Sequence, residues 1–163
     1  MAEVSLRSKG GSLTVHGKRK VAEAMYWKGR SFVLAAVLLG KHTGHEYVVL
    51  HLMSQGIETI LKGALLLCDY DKYRPLLKGR YGHNIEALAV EATRSFGLKP
   101  ITAQLAAQLR TLCSLYTQNI LRYGSFYDVL VDARTIESHL VTKRAIAVIR
   151  LADRHLAPIV TGA

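Results

Sequence analysis

The chain has 163 residues, with 22 Lys and Arg against 12 Asp and Glu, for a formal net charge of +10. Half of the residues are apolar, which excludes a disordered tail or a fibre and suffices for one domain with a sizeable core. The positive excess permits a phosphate-bearing partner, whether nucleotide, nucleic acid or anionic surface, without requiring one. Cys68 and Cys113 are the only cysteines, too few for a disulfide framework or a Cys-based zinc site. No apolar signal-peptide core opens the chain, and no uncharged run reaches the roughly 20 residues that span a bilayer. The expectation is a soluble protein of the reducing cytoplasm, with no membrane partner.

Residues 1–17 alternate apolar and polar positions around Lys9-Gly10-Gly11. They read either as a small hairpin or as a flexible basic arm. From Lys18 the spacing turns helical. Val21, Met25, Phe32, Ala35 and Leu39 predict a helix over 18–40, with Gly40 as its stop. A second helix is predicted from Glu46 to Leu67, on a seam of Leu50, Met53, Ile57, Ile60, Ala64 and Leu67. Residues 68–82 contain Pro75, Gly79 and Gly82 and read as a loop. Gly82 lets the chain turn sharply, and a third helix starts near His83-Asn84, either of which can cap it, and ends near Gly97, before the turn at Lys99-Pro100. Thr102 is placed to cap a fourth, whose seam is Leu105, Leu109, Leu112 and Tyr116. A last helix begins between Phe126 and Arg134 and runs to about His155. The predicted fold is all-α: a bundle of five helices with short connections over 18–157, followed by a tail over 158–163.

His51, Gln55, Glu58 and Lys62 are spaced to form one polar stripe on the second helix. On a free surface this is a solvated face with one weak ion pair. The surrounding Leu52, Met53, Ile57, Leu61, Leu65 and Leu66 argue instead for burial. Buried Glu58 and Lys62 would then need each other and further partners.

The stripe lies in SQGIETILKGALL, residues 54–66. This segment resembles the second-helix motif of HEPN domains, the higher-eukaryote and prokaryote nucleotide-binding family, through Gln55, Glu58, Leu61 and Lys62. YGHNIEAL, residues 81–88, is similar to the family's third-helix opening, matched by Gly82, His83, Asn84, Ile85 and Leu88. Arg122 and Tyr123 in LRYG resemble its Arg-Tyr-Pro element, with Gly124 in place of the proline. The resemblance spans about residues 18–155. It implies an up-and-down bundle of four core helices plus a short extra helix, binding of a nucleotide or RNA, a homodimer or a nucleotidyltransferase partner, and no cofactor. It carries nucleotide or phosphate binding to Lys62, His83, Arg122 and Tyr123; Arg80 joins them from the basic loop, and His51, Gln55 and Glu58 are read as a structural stripe. The basic residues Lys72, Arg74, Lys78 and Arg80 before His83 agree with an anion-binding role.

Some members of that family are metal-free ribonucleases, of toxin or defence type, that use an Arg-x4–6-His motif. Arg134 and His139 satisfy the spacing, as do Arg150 and His155. A five-residue step on a straight helix leaves the two side chains about 140° apart, so neither pair converges within one helix. Arg134 and His139, near a predicted helix start, are the better catalytic candidates. Arg150 and His155 are explained by a helix C-terminus. No metal-ligand spacing, P-loop, dinucleotide fingerprint or nucleophile elbow is present. A non-catalytic binding domain is the first expectation, and the ribonuclease is its alternative.

Overall fold

The computed structural model describes residues 13–117 and Arg154. Among these residues the chain forms five helices and no strand: α1 (Val15–Lys41), α2 (Glu46–Cys68), α3 (Tyr70–Lys78), α4 (Ile85–Ser95) and α5 (Ala103–Thr117). The all-α bundle expected from hydrophobic spacing is what the structure shows.

α2 is the hub. It packs against each of the other four helices, and 14 of its 23 residues are buried. The predicted seam is buried as expected through Leu50, Met53, Ile57, Ile60 and Ala64. α1 lies antiparallel along α2 through unusually close backbones. A Cβ on Gly29 would stand 2.8 Å from Gly56 O and from Ile60 N, and one on Gly63 would stand 3.0 Å from Ala22 O. The face that α1 buries is therefore Ala22, Glu23, Tyr26, Gly29, Val33 and Ala36. This corrects the predicted seam, which sits one residue away: Val21 and Ala35 are exposed, while Met25, Phe32 and Leu39 are only partly covered. Small residues, which a count of large apolar side chains passes over, set the approach of the two helices.

Two boundaries also differ. α1 starts at Val15, because Thr14 caps it by accepting from Gly17 N, so the last residues of the expected arm or hairpin are helical. The first twelve lie outside the described residues. α1 also runs through Gly40 to Lys41, and the reversal falls on Thr43 at φ 56°.

The segment expected as a loop holds α3. Asp69 caps it by accepting from Lys72 N at 3.1 Å. Pro75 is inside this nine-residue helix, where it removes one backbone donor without preventing the turns on either side. The chain then reverses at Gly82, whose φ of +46° suits glycine. Asn84 caps α4 by accepting from Ala87 N, and Thr102 caps α5 by accepting from Leu105 N. Both caps match expectation. α3 returns the chain from the Cys68 end of α2 to the level of Glu58, so successive helices alternate in direction. Of the predicted last helix only Arg154 lies among the described residues, and it is helical and exposed.

Candidate functional site

Of the polar stripe on α2, Glu58 is the centre. It is only 4% exposed, so its charge needs partners from several elements. Lys62, one turn on, donates to Glu58 Oε1 at 2.6 Å and is itself 14% exposed. His83, from the α3–α4 turn, places Nδ1 3.1 and 3.2 Å from the two carboxylate oxygens. From α5, the Tyr116 hydroxyl donates to Gln55 Oε1 at 2.6 Å. The Tyr116 ring lies between two imidazoles, with centroids 5.6 Å from His51 and 5.6 Å from His83. The cluster thus joins α2, the α3–α4 turn and α5 at one point.

Burial alone would push the Glu58 carboxyl up. Hydrogen bonds from Lys62, His83 and Tyr116, with the charge of Lys62, outweigh it and hold the group below the ordinary carboxylate range. An ionised carboxylate only accepts, so His83 Nδ1 carries the proton in this contact. The opposite ring nitrogen, Nε2, is left for a ligand. The His83 side chain is 62% exposed, so a buried anion holds the orientation of a ring that solvent reaches. Nε2 donates to an oxygen anion only in the ring form that carries a proton on both nitrogens.

The basic surroundings follow from α3. Arg74, Lys78 and Arg80 are exposed on it and on the turn that follows. Of the residues expected to contact phosphate, the structure brings Lys62 and His83 together, with Arg80 three residues before His83. Lys62 is engaged with Glu58, so the pair carries no net charge beneath the ring. Glu58, expected to be structural, also orients the histidine. Arg122 and Tyr123, together with the nuclease candidates Arg134 and His139, lie outside the described residues. Among the described residues no group of histidine, cysteine and acidic side chains could hold a metal ion, and no helix is long and apolar enough to cross a membrane.

A second buried carboxylate was not foreseen. Glu91 on α4 accepts from Tyr73 Oη at 2.7 Å and from both contacts of Arg94 Nη2 at 2.6 and 2.7 Å. The Tyr73 oxygen also lies 2.6 Å from Ser95 Oγ. The Arg94 hydrogen bonds, then that of Tyr73, lower the Glu91 carboxyl against the opposing effect of burial. Burial, then the charge of Glu91, raises the neighbouring Tyr81 hydroxyl. The available signal was Asp69 as a helix cap; once α3 is drawn, Tyr73 faces α4. Tyr116 had been read only as an apolar seam residue, although a buried phenol needs a partner for its hydroxyl.

Comparison of the chain with protein-family models, curated proteins and solved structures finds no match.

Proposed function

We propose that this chain is a HEPN-like domain that binds a nucleotide or nucleic acid through phosphate, without catalysing a reaction on it. One observation carries this reading: the two segments of closest resemblance, Gln55–Lys62 and Gly82–Leu88, meet directly through the Glu58–His83 contact. His83 is the primary phosphate ligand, Glu58 its positioning residue and Lys62 the counter-ion that keeps Glu58 ionised. Arg80 extends the same surface. Pairing of two copies, or with a nucleotidyltransferase-type partner, belongs to the same reading and rests on the resemblance alone.

Isothermal titration with nucleotides and short RNAs at low salt tests it, because phosphate contacts are strongest there. Saturable binding that weakens with added salt is expected, with the RNA recovered intact. His83→Ala should weaken binding about tenfold, the equivalent of about 1.4 kcal/mol and within the range of a charge-assisted hydrogen bond. No binding at low salt would end the proposal.

A further inference from the structure

The cations of this chain fall into two groups. Most that face an acid are neutralised. Glu23 takes Arg19 and Lys20, Asp71 takes Lys18, Glu86 takes Arg110, and Glu91 takes Arg94 and Lys72. Arg74, Lys78 and Arg80 are exposed and, among the described residues, have no ion pair; Lys28, Lys41 and Lys99 share that state but are scattered, whereas these three lie together on α3 and the turn after it.

Their placement is specific. Tyr70, Arg74 and Lys78 are spaced by four, so they share one face of α3. Tyr73, between them, turns the other way to bond Glu91. Two like charges at i,i+4 disfavour the helix that carries them. α3 has only nine residues and an internal proline, so it has little stability of its own to spare. Lys78 favours the helix dipole at the C-terminal end, but Arg74 is mid-helix and gains nothing from it. Arg80 continues the line around the turn toward His83. At the other end the Tyr70 ring is half-buried, with Lys18 Nζ and the Arg74 guanidinium each 5.9 Å from its centroid.

We infer that α3 is a track for single-stranded nucleic acid. Arg74, Lys78 and Arg80 contact successive phosphates of a strand that ends at His83, and Tyr70 offers a face for a base. The inference rests on the phosphate-binding reading above and names its ligand class. A single strand is favoured over a duplex because the cations lie beside the half-buried Tyr70 ring, and because the chain reverses at Gly82, between Arg80 and His83. A flexible backbone follows that bend, and unstacked bases reach an aromatic ring beside cations.

The test is fluorescence anisotropy of a labelled twelve-nucleotide oligouridylate over a salt series. Each phosphate contact on a single strand adds about 0.7 to the slope of log K against log salt. The triple variant Arg74→Gln, Lys78→Gln, Arg80→Gln should therefore flatten the slope by about 2 and weaken low-salt binding at least about tenfold. Lys28→Gln, Lys41→Gln, Lys99→Gln removes the same charge elsewhere and should leave the slope unchanged. Tyr70→Ala should weaken binding with no change of slope, since stacking releases no counterions. Circular dichroism should show both triple variants folded. An unchanged slope in the α3 variant, an equal loss in the control, or stronger binding of a duplex of the same length overturns the track. Binding of mononucleotides without the oligonucleotide overturns the track and leaves the phosphate site standing. Binding of neither overturns both.

Discussion

Two glutamates, Glu58 on α2 and Glu91 on α4, are buried to nearly the same degree, at 4% and 7% exposure. Both gather hydrogen bonds from other elements, and both stay ionised below the usual carboxylate range. They differ in what they hold. Glu91 holds Tyr73, whose ring is fully buried and whose hydroxyl also meets Ser95. The Tyr73 hydroxyl ties α3 to α4, while the other donor to Glu91, Arg94, has a side chain that is 70% exposed. Glu58 holds His83, most of whose side chain is in solvent. The same device, a buried carboxylate with donors around it, thus serves as a clamp in one place and as a mount for a solvent-facing ring in the other.

The largest expected break in this comparison is Glu58→Gln. It leaves the largely covered Lys62 ammonium without its anion and should cost about 2–4 kcal/mol in a denaturant melt. It should also reduce nucleotide affinity, because His83 loses its orientation. Tyr73→Phe should cost less, about 1–2 kcal/mol, for the lost hydroxyl bonds. Its nucleotide affinity should match wild type. Equal effects of both substitutions on affinity would erase the distinction between mount and clamp.

Acid sharpens the comparison further. Each carboxyl has a folded-state pKa below its unfolded value, so each adds stability that is complete above the unfolded value. That stability is lost as pH falls through the folded value. Melts from neutral pH downward should show a steady loss beginning in the ordinary carboxylate range and continuing below it. Glu58→Gln should lose less over that window than wild type. The smallest effect is His83→Ala on stability, about 1 kcal/mol, because Glu58 loses one donor but keeps Lys62.

Much of this was legible in the sequence where large apolar residues mark a face. The α2 seam, the Asn84 and Thr102 caps and the sharp turn at Gly82 all follow from residue type and spacing. The need of a buried Glu58 for further partners was also legible, but not their identity. His83 is 25 residues away along the chain, and only the path of α3 brings it back. That path was hidden because Pro75 and two glycines read as a loop, which also concealed the Tyr73–Glu91 clamp. The α1 face was misplaced for a different reason. Gly29, Gly56 and Gly63 carry no side chain to count, yet they decide how closely α1 and α2 approach.

The most direct measurement is the imidazole NMR spectrum of His83, assigned by His83→Gln, during titration with a nucleoside monophosphate at low salt. The account predicts a saturable shift of the His83 ring resonances that parallels binding, and its loss in Glu58→Gln protein that remains folded. Saturable binding with the His83 resonances unmoved would contradict it.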